Sequence, residues 1–392
     1  MGFDQRRKAM RGLFMTAKWE PREGYELSEF ERMTGKAITG SGVWRYPRLE
    51  VQEVEKPVPG PDEVLIRVKA CGICGSDIHF YETDADGYIL YPGLTKFPTI
   101  IGHEFSGVVE GVGGEVKGLA PGDAVTAEEM WWCGYCTPCR NGFPNHCLNL
   151  EEMGFTLPGA MAEYIAVGAK YCWKIDALIE RYGEEKGFEA GSLVEPTSVS
   201  YNALFERAGG FRPGAYVAVY GAGPIGLAAI ALSKAAGASK VIAFELSEGR
   251  RELAKRVGAD HVFDPREVTP SEVIMDLTGG EGADVQVEAA GAPEKTIPEM
   301  EKALAINSKI VQIGRAAQRV PMYLEAFQVR RAQVFGSQGH SGHAIFPSVI
   351  RLMAAGLVDM TPIITGRFDL DHAVEALERA TKREDGKITI KV

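Results

Sequence analysis

One stretch, AYVAVYGAGPIGLAAIALSKAAGASKVIAFELS at residues 215–247, limits more than any other what this chain can fold into. It reads as an apolar strand, a glycine turn, an alanine-rich helix and a second apolar strand. That is the rhythm of a parallel sheet, whose strands are buried on both faces and therefore appear as continuous apolar runs. Between the first strand and the helix, Gly221-Ala222-Gly223-Pro224-Ile225-Gly226 fits the pattern G-x-G-x-x-G. Glycine is common, so the match alone is weak; its place after a strand and at the opening of a helix gives it physical meaning. The first glycine permits the turn, the second admits a pyrophosphate, the third lets helix pack on strand, and the helix amides face the phosphates. Glu245 ends the second strand about 20 residues further on, where a carboxylate accepts ribose hydroxyls and repels a 2′-phosphate. NAD is therefore expected over NADP. Arg250 tempers this, since it can pair with Glu245 or assist a phosphate. The cofactor set is Gly221, Gly223, Pro224, Ile225, Gly226, Glu245 and Arg250; the rival reading is a glycine-rich turn in another doubly wound fold.

Alternation continues downstream, with RRELAKRVGA as helix, ADVQVEAAG as strand, KTIPEMEKALAI as helix and KIVQIGRA as strand. Upstream, from VLIRVKACGICGSD to about Val167, short apolar runs broken by Pro-Gly, Gly-Gly and Asp-Gly indicate a strand-rich, barrel-like region. A chain of 392 residues exceeds what one core comfortably supports. We expect a β-rich domain over 1–196, a doubly wound parallel sheet over 197–342, and a return to the first domain over 343–392. RGLFMTAKW has strand character, residues 21–43 read as an inserted loop, and VWRYPRLEVQEVEK resumes the strand. The residues ahead of Met10 are charged and add no recognisable element, which makes Met10 a candidate initiator.

The formal charge of -10 argues against nucleic-acid binding, which needs a local excess of Lys and Arg. No apolar run is long enough to cross a bilayer, and the first residues lack a signal-peptide core. A cytoplasmic protein acting on a small molecule is the expectation.

Seven cysteines are present, and five fall in patterns that suit metal better than disulfides. Cys133, Cys136, Cys139 and Cys147 form C-x2-C-x2-C-x7-C, in which four thiolates surround one tetrahedral zinc ion and leave no open position. Such a site clamps a loop. His146 is a possible substitute ligand, and iron the alternative metal. A second group is dispersed: Cys74, His103, Glu104 and Glu195 offer a thiolate, an imidazole and carboxylates, a set able to hold zinc while keeping a position for water or substrate. Cys71, three residues before Cys74, is the rival ligand; if the stretch is a strand, the two point to opposite faces. Cys71 and Cys172 are read as core.

Taken in order, GICGSDIH, GHEFSGVV, the four-cysteine loop, EPTSV and GAGPIG resemble the zinc-containing medium-chain dehydrogenase/reductase family over nearly the whole chain. The Glu104 and Glu195 signatures resemble its polyol and threonine dehydrogenase branch, and GYILYPGLT, SLVEPTSVSYNA and FQVRRAQVFGSQGHSGH resemble members acting on cyclitols. This likeness implies a GroES-like β-rich catalytic domain beside a Rossmann domain, two zinc ions per chain, and a homo-oligomer, dimer or tetramer. It implies that Cys74 and His103 ligate the catalytic zinc, with Glu104 and Glu195 competing for the remaining protein positions or exchanging with water. Ser76 would pass on the substrate proton and His79 would serve as the outer histidine of the relay. The implied reaction moves a hydride between a secondary alcohol of a cyclitol or polyol, scyllo-inosose at its 3-position foremost, and NAD. Sorbitol-like, butanediol and threonine dehydrogenation are the alternatives, and a nonenzymatic zinc-binding module the alternative class. Ser337-Gln338-Gly339-His340 and His343 either touch the nicotinamide or substrate or simply connect. The 21–43 insertion departs from the broad family and is expected to shape the substrate pocket or a subunit contact.

Overall fold

The computed structural model describes residues 9–316 and 318–392, so the residues that bear on Met10 as initiator lie outside it. Two compact units emerge. The first runs to Glu195 and takes back Gly366–Lys382 and Lys387–Val392; the second holds Pro196–Thr365 and Arg383–Gly386. The chain thus re-enters the first unit at Gly366 rather than near 343. The helix Ile345–Ala354 stays with the second unit, where Ile345, Phe346, Val349, Ile350 and Met353 form its buried face.

In the first unit, Ala9–Trp19 pairs antiparallel with Trp44–Glu55 and briefly with Thr99–Ile100. A seven-stranded sheet runs in the order Cys172–Lys174, Ala124–Ala127, Glu104–Val112, Glu63–Gly72, Lys387–Lys391, Ile364–Asp369, with Tyr164–Gly168 also on Glu63–Gly72. Alternate residues of these strands face one core, in which Leu13, Ile66, Phe105, Val167 and Ile390 are fully buried or nearly so. Two local readings change. The 21–43 insertion carries two short helices, Glu29–Thr34 and Gly40–Val43, the first started by a capping box in which Ser28 and Glu31 satisfy each other's amides. The strand through Cys71 stops at Gly72, and Cys74 becomes the N-cap of helix Gly75–Tyr81. Strand parity therefore does not separate Cys71 from Cys74; burial does, because Cys71 is enclosed in the core while Cys74 is half-exposed.

The second unit holds a six-stranded sheet ordered His261–Phe263, Lys240–Phe244, Tyr216–Tyr220, Ala283–Glu288, Leu304–Gln312, Gln333–Gly336, every pair parallel. In chain order this is 3-2-1-4-5-6, the doubly wound arrangement whose order reverses beside the first strand. The helix read over KTIPEMEKALAI ends at Lys302, and its last apolar residues open the Leu304–Gln312 strand.

Ile66 lies fully buried on the strand that three others flank. Ile66→Ala removes its branched chain from a packed site and is expected to cost about 2–5 kcal/mol. A lowered urea midpoint without a change of slope checks it.

Candidate active site

The end of one strand and the start of another bring the dispersed ligand candidates together. Cys74 caps the helix Gly75–Tyr81, and Asp77 in its first turn accepts the Cys74 amide at 2.8 Å. His103 and Glu104 stand where the Glu104–Val112 strand begins. One donor atom from each of Cys74, His103 and Glu104 lies within 4.8 Å of the others. This donor set fits zinc, because a thiol sulfur, an imidazole and a carboxylate, the donor types that zinc takes, converge there. Burial works against a charge on His103, yet the Cys74 thiol and the Asp77 carboxylate outweigh it and lift the imidazole pKa well above its usual value. The surroundings favour positive charge at that point.

Glu104 has a partner that strand register supplies. Gly72 sits opposite Glu104 on one side and Thr389 on the other, so the Glu63–Gly72 strand separates the strands bearing Glu104 and Lys387. A Cβ on Gly72 would lie 2.3 Å from Glu104 Oε2 and 3.3 Å from Lys387 Cδ. With no side chain between them, Lys387 Nζ donates to both Glu104 oxygens, at 2.7 and 2.5 Å, and to the Ile73 carbonyl at 3.0 Å. Both side chains are essentially inaccessible to solvent. Burial raises the Glu104 pKa, and the lysine opposes that rise. Glu195, in the first turn of the helix Val194–Tyr201, is also buried and acts electrostatically on His103 and Glu104, but lies outside the Cys74–His103–Glu104 group.

Ser76 and His79 stand three residues apart on the Gly75–Tyr81 helix, hence on one face. The Ser76 hydroxyl oxygen is buried and has no hydrogen-bond partner among the described residues. His79 is half-buried, and its carbonyl accepts the Leu90 and Tyr91 amides at 2.9 and 3.2 Å.

The four-cysteine loop closes on itself. One sulfur from each of Cys133, Cys136, Cys139 and Cys147 lies within 4.8 Å of the others. Amides point at the sulfurs, Cys133 to Cys147 at 3.3 Å, Cys136 to Cys133 at 3.4 Å and Asn149 to Cys147 at 3.3 Å, as suits thiolates. Desolvation raises the Cys133 thiol, but the amides of Tyr135 and Cys136 and the Asn149 side chain bring it down to about 6. The donor set fits a closed zinc site. His146 is exposed and outside this group. All seven cysteines are free, with Cys71 buried and Cys172 half-buried.

In the second unit, Gly221 has φ +90° and sits so close to the next turn that a Cβ would lie 2.7 Å from Ala290 Cα. Gly226 would place a Cβ 1.9 Å from the Gly221 carbonyl oxygen, whereas at Gly223 only Arg250 comes near, at 3.9 Å. The middle glycine thus borders open space at the N-cap of helix Pro224–Ala235, with Pro224 in its first turn. The Ile225 carbonyl accepts the Ser200 hydroxyl at 2.7 Å. Glu245 accepts the Ala222 amide at 2.6 Å and the Ser247 amide at 2.8 Å, which fixes its carboxylate beside the glycine turn. Arg250 Nε donates to the Asp385 carbonyl at 2.9 Å, and burial lowers its pKa. Asn202 ties down the late polar segment through the Gly339 carbonyl at 2.8 Å; His340 is buried against Phe346, and His343 lies 3.6 Å from Glu206.

Sequence reading missed Lys387, Asp77 and Glu288. Glu288 closes its strand and accepts from the Ala290, Gly291 and Ala292 amides and from Gln312, at 3.0 to 3.3 Å, pinning the turn beneath Gly221. Its signal was available only in part, a carboxylate ending the alternating strand ADVQVE just ahead of Ala289-Ala290-Gly291; Lys387, in an alternating KITIKV run, becomes notable only through register. Replacing Lys387 by Met leaves the Glu104 carboxylate buried without its cation. Lys387→Met is expected to lose about 3–5 kcal/mol of folding stability. Adding Glu104→Gln should return part of that loss in a double-mutant cycle followed by urea unfolding.

Residues 60–177 match the alcohol dehydrogenase GroES-like domain family, and residues 224–355 match the zinc-binding dehydrogenase family. The chain is 51% identical to scyllo-inosose 3-dehydrogenase of Thermotoga maritima, over 94% of this chain and 96% of that one. It is 37% identical to L-threonine 3-dehydrogenase of Pyrococcus abyssi, over 86% and 94%. A solved Thermotoga maritima structure, provisionally assigned as an alcohol dehydrogenase, superposes with a TM-score of 0.95 at 49% identity, covering 98% of this chain and all of that one. With a GroES-like unit, a doubly wound parallel sheet and two thiolate-bearing donor sets in place, the chain belongs to the zinc-containing medium-chain dehydrogenase/reductase family and is an alcohol dehydrogenase.

Proposed function

We propose that this protein oxidises a secondary alcohol of a cyclitol or polyol, scyllo-inosose at carbon 3 foremost, and passes the hydride to NAD. The likeness along nearly the whole chain to the Thermotoga maritima enzyme named for that reaction carries the substrate. Zinc would supply Lewis acidity at the substrate oxygen and the nicotinamide would accept the hydride. Cys74 and His103 hold the metal, with Asp77 behind His103 at 4.0 Å to orient the ring. Glu195 is the third protein ligand in this reading, because both Glu104 oxygens are already engaged by Lys387; Glu104 exchanges with it. Ser76 accepts the hydroxyl proton on its unengaged oxygen as its own hydroxyl proton passes on, and His79, on the same helical face, receives that proton and moves it outward. Cys133, Cys136, Cys139 and Cys147 hold a second zinc that clamps their loop and takes no part in the chemistry.

Metal analysis of the purified protein should return two zinc ions per chain. Cys74→Ser should lose turnover and one zinc while keeping its fold, whereas Cys133→Ser should chiefly lower the melting temperature; near-normal turnover in Cys74→Ser would sink the catalytic assignment. Among scyllo-inosose, sorbitol, 2,3-butanediol and threonine, followed by NADH absorbance, scyllo-inosose should give the highest kcat/KM. Turnover of linear polyols with none of scyllo-inosose rejects the substrate.

The Glu245 carboxylate beside the glycine turn favours NAD. We expect kcat/KM to be higher with NAD than with NADP, and Glu245→Ala to narrow the gap. A wild-type preference for NADP reverses the assignment.

A cytoplasmic setting and a homo-oligomer, dimer or tetramer, complete the reading. Free cysteines suit a reducing compartment, and among the described residues no helix is long and apolar enough to cross a membrane. Ile306, Leu324, Val329 and Val334 are exposed on the side of the second sheet that ends in Gln333–Gly336, an edge that a second copy can extend.

A further inference from the structure

Residues 21–43 are bound too closely to one neighbouring loop to be a simple insertion. Ala37 and Thr95 exchange both backbone hydrogen bonds, at 2.8 and 2.9 Å, as in an antiparallel ladder. The Gly40 amide donates to the Gly93 carbonyl at 3.0 Å and the Ser41 amide to the Tyr91 carbonyl at 2.8 Å. A Cβ on Gly40 would lie 2.7 Å from Thr95 Oγ1 and 2.9 Å from the Tyr91 carbonyl oxygen, so the two backbones meet with no room for a side chain. Arg22 lies 4.0 Å over the Tyr88 ring and pairs with Asp84. The segment is also knotted within itself: buried Glu31 accepts from the Ser28 amide, the Ile38 amide and the Tyr25 hydroxyl, at 2.8 to 2.9 Å.

The clamped loop, residues 84–95, includes the GYILYPGLT motif, and it connects to the Cys74–His103 centre through the Gly75–Tyr81 helix and Phe155. Its Leu90 and Tyr91 amides bind the His79 carbonyl. The Tyr91 ring contacts Phe80 at 5.0 Å and Phe155 at 5.2 Å, and Phe155 in turn lies 4.9 Å from the His103 ring. A continuous path of backbone bonds and ring contacts thus links the insertion to a candidate metal ligand.

We propose that the 21–43 segment is a clamp that fixes the 84–95 loop, and through it Tyr91, as a substrate wall selecting bulky cyclic secondary alcohols over small acyclic ones. This rests on reading Cys74 and His103 as the reaction centre. Arg22 and Gly40 are positioning residues, acting through Tyr91 and touching no reactant. A wall held from behind by a rigid second layer keeps one shape, which a large, rigid ring needs and a small flexible alcohol does not.

The test compares kcat/KM for scyllo-inosose with that for 2,3-butanediol in Arg22→Ala, Gly40→Ala, Tyr91→Ala and the Arg22→Ala/Tyr91→Ala double variant, with zinc content, NADH affinity and melting temperature measured alongside. Arg22→Ala removes only a half-buried side chain and keeps the test usable if Gly40→Ala folds poorly. We expect each single variant to lower the cyclitol-to-butanediol ratio about tenfold, mainly through the cyclitol KM, with zinc content and NADH affinity unchanged. Arg22→Ala should add little once Tyr91 is absent. An unchanged ratio, an equal fall for both substrates, or full additivity with Tyr91→Ala overturns the clamp. Should the wild type turn over no cyclitol, the substrate reading fails by itself, and the ratio of the bulkiest to the smallest alcohol it does turn over judges the clamp by the same outcomes.

Discussion

The buried ion pair between Glu104 and Lys387 constrains more of the first unit than any other contact. Moving two charges out of water is expensive, and the expense is tolerable only where geometry is good and the remaining polar atoms are satisfied. Here the lysine meets both carboxylate oxygens and a backbone carbonyl. The pair reaches across a strand at the one place where that strand has no side chain, Gly72. It therefore fixes three things at once: the register of the C-terminal strand, the need for glycine in the middle strand, and the orientation of the residue that follows His103. A segment far along the chain, Lys387–Lys391, is thereby part of the architecture around the candidate metal ligands.

The second unit rests on close backbone approach instead of charge. Gly221 and Gly226 are places where even a methyl group would collide with neighbouring backbone, and this contact sets how the first helix lies on the sheet. Glu288 adds a polar lock at the same end of the strands, gathering three successive amides onto one carboxylate. Beside this glycine packing and carboxylate knot, Gly223 at the N-cap of the Pro224–Ala235 helix borders open space, and a helix N-terminus of that kind suits an anionic cofactor. Glu245 is held there by the Ala222 amide, so the carboxylate we propose as favouring NAD is tied to the glycine turn itself.

The legible features are those in which chemistry and spacing lie close together in the chain. The four cysteines fall within one short loop and the glycine motif spans a single turn; in each, local geometry follows from sequence distance. Parity across residues 71–74 failed as an argument because the strand ends at Gly72, and strand periodicity holds only while the strand lasts. The 21–43 segment read as a loop although Ser28 and Glu31 carried a helix-start signature, because the helix they begin is only six residues long and has no periodic apolar face to announce it.

Sequence by itself determined the family, the doubly wound sheet, the four-cysteine loop and the residue types able to ligate a catalytic metal, since these depend on periodicity and on donors that recur in order. Tertiary structure alone decided which carboxylate is held by a lysine, which loop the insertion grips, and where the chain crosses back to its first unit. Those facts join residues separated by tens to hundreds of positions, as Glu104 and Lys387 are. Such partners are chosen by strand register and by the space a missing Cβ leaves, and neither quantity is written in any local stretch of the chain.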